Sequence, residues 1–89
     1  MTNSDKPAIE FPCVFPVKAM GLAEESLHIT VLDIVRRHAP EADESAVHKR
    51  PSANGKYISV TVTISAQSRE QLDAIYMDLT ACEQVLMAL

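Results

Sequence analysis

With 89 residues, 47% of them hydrophobic and 22% charged, the chain has room for one globular domain and not two. Its net charge of −4 argues against an unspecific nucleic-acid binder, which needs a basic surface to displace counterions, and leaves only a local basic patch open. Aromatic content is 4%, so the core must come from Val, Ile, Leu and Met, and a core that small would gain from a dimer interface.

Residues 1–9 read as a flexible N-terminal tail ahead of a single domain over residues 10–89. Met1 to Pro7 is polar and lacks the apolar centre of a secretory signal. No stretch approaches the roughly 18 apolar residues of a membrane-spanning helix, so a cytoplasmic location with no membrane partner is expected. Phe11 to Met20 reads as the first strand. Pro12 and Pro16 are expected to confine regular pairing to the part after Pro16, because proline cannot donate to a ladder. Gly21 then ends the strand. From about Ala23 to Ala39 the period is helical, with Leu27, Val31, Ile34, Val35 and His38 on one face. Glu24 and Glu25 in the first turn and Arg36, Arg37 and His38 in the last would complement the helix dipole. Pro40 stops this helix.

Glu41 to Glu44 reads as an acidic surface loop, and Ala46 to Pro51 as a short polar edge strand that Lys49 and Pro51 protect from pairing with another chain. Asn54-Gly55, inside the turn cluster Ser52 to Lys56, is the hairpin signal. Tyr57 to Ala66 is the clearest element. Ile58, Val60, Val62 and Ile64 alternate without a break with Ser59, Thr61, Thr63 and Ser65, which gives one buried and one polar face. Ser68 with Gln71 forms a capping box that opens a second helix to about Ala81, with Leu72, Ile75, Tyr76 and Leu79 as its apolar stripe. Gln84 to Leu89 reads as a last short strand. This order predicts an α+β, ferredoxin-like β-α-β-β-α-β sandwich: a four-stranded antiparallel sheet, first and third strands central, with two helices on one face and the other face uncovered.

Three segments, in this order and spacing, carry a resemblance. They are Phe15-Pro16-Val17-Lys18-Ala19-Met20-Gly21, Arg37-His38-Ala39-Pro40 and the run from Pro51 through Asn54-Gly55 to Ile64. Together they resemble the YbeD-like family of small bacterial proteins of unknown function, over Phe11 to Leu89. The stretch between Pro40 and Pro51 is slightly longer than the family pattern, which leaves the register of the edge strand over residues 46–51 open. The resemblance implies a ferredoxin-like fold similar to the ACT domains that regulate amino-acid metabolism, and a link to lipoate handling. It brings no catalytic residues.

The chemistry this fold can host is thin here. An RNA-recognition face needs stacking aromatics, but the strongest strand offers Ser59, Thr61, Thr63 and Ser65. A heavy-metal carrier needs a CxxC after the first strand, and none is present. Met20-Gly21-Leu22-Ala23 has one glycine and no nearby Arg, unlike a phosphate-cradling acylphosphatase loop. His28 and His38 lie ten residues apart on one helix, about 15 Å at about 1.5 Å per residue, too far to share a metal ion. His38 instead suits a helix C-terminus. Cys13 and Cys82 fall near opposite ends of the sheet, roughly 20 Å apart for strands of about six residues. A bridge needs Cα atoms within about 7 Å, so two free thiols in a reducing compartment are expected. No base can be named beside Cys82, and Met20 and Met87 read as core filler. Arg36, Arg37, Lys49, Arg50 and Lys56 could form an anion patch, but a solvated helix end and hairpin tip is the plainer account.

The reading is a non-catalytic regulatory or protein-interaction module that contacts a protein partner or a second copy through its open sheet face or edge, with the face favoured. That face is represented by Ser59, Thr61, Thr63 and Ser65, whose short hydroxyl side chains allow close approach. The first strand adds either Val14 and Met20 or Phe15 and Val17 to it. The alternative is an ACT-type small-ligand sensor with Gly21 at its site, against which a plain turn glycine with positive φ must be weighed. No catalytic residue, metal, cofactor or nucleic-acid partner is expected.

Overall fold

A computed structural model describes residues 10–24 and 26–89. The residues assigned to the tail lie outside the described part, as does Glu25. The chain forms β1 (Cys13–Leu22), α1 (Leu27–His38), a single 3₁₀ turn (Glu44–Ala46), β2 (Val47–Pro51), β3 (Tyr57–Ala66), α2 (Arg69–Thr80) and β4 (Met87–Ala88). The strands form one antiparallel sheet in the order β2-β3-β1-β4, which centres the first and third strands as the sequence predicts.

β1 and β3 pair along their whole length, from Cys13 opposite Ala66 to Leu22 opposite Tyr57. Regular pairing thus begins at Cys13 rather than after Pro16, and the backbone geometry explains why proline is harmless there. Lys18 exchanges both backbone bonds with Leu89 on the β4 side (3.1 and 2.8 Å). Backbone groups two residues apart on a strand point the same way. The nitrogen of Pro16 therefore faces the stretch of β1 edge that β4, only two residues long, does not reach. Pro51 follows the same rule: Ser52 N–H bonds Tyr57 on the β3 side (2.8 Å), so the neighbouring Pro51 nitrogen faces outward from the sheet edge.

The alternation in β3 sends Val60, Val62, Ile64 and Ala66 into the core, where Val17 and Ala19 of β1 meet them. Both helices cover this side with Leu27, Val31, Ile34 and Val35 from α1 and Leu72, Ile75 and Leu79 from α2. His38, at the end of the α1 stripe, is half-buried, and its Nε2 lies 2.7 Å from Asp78 Oδ2 on α2. Gln71 Nε2 donates to the His38 carbonyl (2.8 Å), so the C-terminus of α1 is tied to α2 twice. Ser68 caps α2 by accepting from Gln71 N–H (3.1 Å). The Gln71 side-chain oxygen reaches one residue further back than the capping-box pattern expects, accepting from Gln67 N–H (2.7 Å).

Helix α1 starts at Leu27, not near Ala23. Ala23 N–H bonds the Lys56 carbonyl (2.9 Å), so sheet pairing continues where helix was expected. Glu24 accordingly precedes the helix, and no acidic residue occupies the first turn. The basic last turn of Arg36, Arg37 and His38 stands as read. Gly55 has φ +73, the left-handed turn conformation that Asn54-Gly55 signals.

Candidate functional site

The β1–β3 register decides which residues line the uncovered face. Ser59, Thr61, Thr63 and Ser65 all point away from the helices, opposite Met20, Lys18, Pro16 and Val14 in that order. The first strand therefore contributes Val14 and Met20, while Phe15 and Val17 face the core side. Tyr57 and Leu22 pair at the hairpin end of the same face. His48 and Arg50 of β2 lie opposite Thr61 and Ser59. Met87 of β4 lies opposite Met20, and Leu89 flanks Lys18. The hydroxyl row is thus bordered by apolar side chains: Val14 is 77% exposed, Leu89 65%, Met87 51% and Leu22 46%. Met20 and Met87, expected as core filler, both line this outer face.

The face also has a charge sign. Lys18 and Arg50 project from it, with His48 beside them. Lys56 adds to it by standing over the Tyr57 ring, its ammonium 5.5 Å from the centroid. Met20, Arg50, Tyr57 and Ser59 line a shallow cleft of about 220 Å³ on this side. Between Lys18, Met20, Met87 and Leu89 lies a smaller dimple of about 40 Å³.

Gly21 does not end β1 and does not adopt positive φ. It is a buried strand residue facing the helices. A Cβ placed on it would lie 2.3 Å from the Gln84 carbonyl oxygen and 3.1 Å from Leu27 Cδ2. Glycine is required there because the chain entering β4 crosses directly over it. Gln84 is itself fixed: its side chain accepts from Thr30 Oγ1 (3.0 Å) and donates to Glu24 (3.3 Å).

The five basic residues considered as one anion patch are divided. Arg36 and Arg37 end α1 in the helix layer, where Arg37 lies 4.0 Å from Asp78. Lys49, Arg50 and Lys56 belong to β2 and its hairpin. The helix layer has its own open cleft of about 530 Å³ beside His28, Arg36 and Asp43. Hydrogen bonds from Ser45 hold the exposed Asp43 carboxyl below its usual pKa, and Arg36 adds a weaker pull. His28 and His38 sit on α1 and His48 on the opposite side of the sheet. Among the described residues no three His, Cys, Asp or Glu side chains gather in a metal-holding group, and Cys13 and Cys82 are free thiols. No described helix is long and apolar enough to cross a membrane.

A family model described as a protein of unknown function (DUF493) matches residues 6–89. The chain belongs to that family. Its relatives carry the name UPF0250 protein. The one from Ectopseudomonas mendocina is 47% identical over the full length of both chains, and that from Hahella chejuensis 45%, also over both full lengths. The Janthinobacterium relative is 48% identical over 82% of this chain and 80% of its own. The solution structure of HP0495 from H. pylori superposes with a TM-score of 0.77 at 16% identity, covering all of this chain and 93% of that one. At that identity the likeness establishes the fold alone, and the DUF493 assignment agrees with the YbeD-like resemblance.

One feature of the face escaped sequence reading although its signal was present. The segments that form the strands contain Lys18, His48, Lys49 and Arg50 and not one Asp or Glu.

Proposed function

We propose that this protein is a non-catalytic interaction module that docks another protein on the open face of its sheet. The observation that carries the reading is the composition of that face: a row of short hydroxyl side chains on β3 framed by the exposed apolar residues Val14, Leu22, Met87 and Leu89. A solvated sheet surface is better served by long charged side chains, which hold water more strongly than Ser or Thr. Short side chains in the middle and apolar ones around them let a second surface approach closely and displace water, as at a partly wet protein interface.

Edge-to-edge strand addition is the less suitable mode. Pro51 removes an outward donor from β2, and Pro16 removes one from the exposed stretch of β1. The face is also favoured over a small-ligand site centred on Gly21, whose core-facing side is filled by the Gln84 carbonyl.

Thr61→Arg tests the reading. Thr61 points outward, opposite Lys18 and His48, so the variant folds normally by circular dichroism. Sedimentation of the protein in native-cell extract should show the wild type in a heavier species and the variant at monomer size. Identical profiles for the two would move the interaction elsewhere on the molecule.

A further inference from the structure

The docking face is basic on a protein whose net charge is −4. All described acidic residues lie outside the sheet: Asp33 on α1, Asp43 and Glu44 in the turn before β2, Glu70, Asp73 and Asp78 on α2, and the rest in connecting segments. The outer face carries Lys18 and Arg50, with Lys56 at its hairpin end and no Asp or Glu side chain among them. The helices, which also carry Arg36, Arg37 and Arg69, and the connecting segments thus hold all the described acids, and the sheet face is left basic.

We propose that the partner is an acidic, partly apolar segment of another protein, which sets carboxylates against Lys18 and Arg50 and apolar side chains against Met20, Leu22 and Met87. This rests on the docking reading above and names the chemistry of its occupant. Charge complementarity selects among the alternatives. A symmetric pairing of two copies through this face would bring Lys18 and Arg50 of one against the same basic surface of the other, which is repulsive. A nucleic acid would gain little from a face with one aromatic, Tyr57, few cations and a rim of exposed aliphatic side chains. An acidic amphipathic segment satisfies both parts of the surface. Arg50 can receive a carboxylate in two parallel hydrogen bonds, and the cleft of about 220 Å³ next to it accepts an apolar side chain against Met20 and Tyr57.

The test uses the full chain in unfractionated extract of its native cell, with the photo-cross-linker p-benzoylphenylalanine in place of Leu22 at the rim of the face. A second preparation carries it in place of Met77, which is 71% exposed on α2, as the control. The expected adduct forms from position 22 and not from position 77. Mass spectrometry should place it in a protein segment rich in Asp and Glu next to apolar residues. Lys18→Glu combined with Arg50→Glu should lower the yield by roughly tenfold or more, since each reversal sets like charges together. Raising salt from about 0.05 M to about 0.5 M should also lower it, a check that does not depend on the variant's folding. Cross-linking to a second copy of this chain, to nucleic acid, or to a segment without an acidic excess would overturn the acidic partner while leaving the docking face in place. So would a yield unchanged by both charge reversal and salt. An adduct from position 22 no stronger than the control would overturn the docking face as well.

Discussion

Replacing Gly21 with alanine separates two accounts of that residue. The added methyl carbon would sit 2.3 Å from the Gln84 carbonyl oxygen, far inside contact distance, and 3.1 Å from Leu27 Cδ2. Leu27 is fully packed in the core, and Gln84 is held by Thr30 and by the bond from Leu86 N–H to the Met20 carbonyl (2.7 Å). Neither can yield freely. Forcing an extra carbon into a packed site costs about 1–3 kcal/mol. The smaller entropy of the unfolded chain returns about 0.4–1 kcal/mol, because φ at Gly21 is not positive. A clash at 2.3 Å with a backbone oxygen belongs in the upper half of the packing cost, about 2–3 kcal/mol, so the net loss is about 1–2.5 kcal/mol, which in a domain of this size lowers Tm by roughly 5–20 °C. Urea denaturation followed by circular dichroism measures it, with the slope unchanged. A second substitution sharpens the test. Gly21→Asn should be worse than Gly21→Ala, since it is larger. At Gly55, where φ is +73 and nothing lies within 4 Å of an added Cβ, asparagine should be the milder of the two. A Gly21→Ala protein as stable as the wild type, or the Gly55 order appearing at Gly21, would refute the close-approach account.

Val60 is fully buried between β1 and β2, so Val60→Asp places an unpaired carboxylate in a small core and should abolish the thermal unfolding transition. A variant with unchanged Tm would overturn the strand assignment. Asp43 should titrate below an ordinary aspartate in a carboxyl NMR titration, and Ser45→Ala should bring it part of the way back up, since the Ser45 backbone N–H still donates; equal midpoints in the two proteins would remove the Ser45 hydroxyl as the main cause. A carboxyl depressed by folding stabilises the native state above its unfolded pKa and loses that contribution as pH falls through the folded value, so any effect of Ser45→Ala on stability should be present near neutral pH and fade in acid.

How well each element could be read from the residues follows from how local its cause is. The unbroken alternation in β3 is a local pattern, and it set both the buried row and the outward Ser and Thr row. The α1 stripe from Leu27 to Val35 and the Ser68 cap are likewise local, and both stand. The start of α1 is not local. The Ala23 N–H is taken by Lys56 across the sheet, and that bond outweighs the helical tendency of the Ala23 segment. The role of Gly21 depends on Gln84, far along the chain, and a lone glycine cannot reveal which backbone crosses it. The face parity of β1 was ambiguous because both of its alternating rows contain apolar residues; pairing with β3 resolved it. Pairing at Pro16 was not legible because nothing in the residues shows that β4 is too short to reach that part of β1, where a missing donor leaves no ladder bond unmade. The basic sign of the sheet could have been read directly, since no strand segment contains an acid, but it gains meaning only once the register shows Lys18 and Arg50 on one face.

The docking of another protein on the outer sheet face is tested most directly by lysine acylation in native-cell extract. Lys18 projects from that face, while the exposed Lys49 belongs to the opposite row of β2 and serves as an internal control. Labelled in extract and again as purified protein, Lys18 should be several-fold less reactive in extract, with Lys49 equally reactive in both. Lys18 as reactive in extract as in the purified protein would show the face open to solvent and contradict the account.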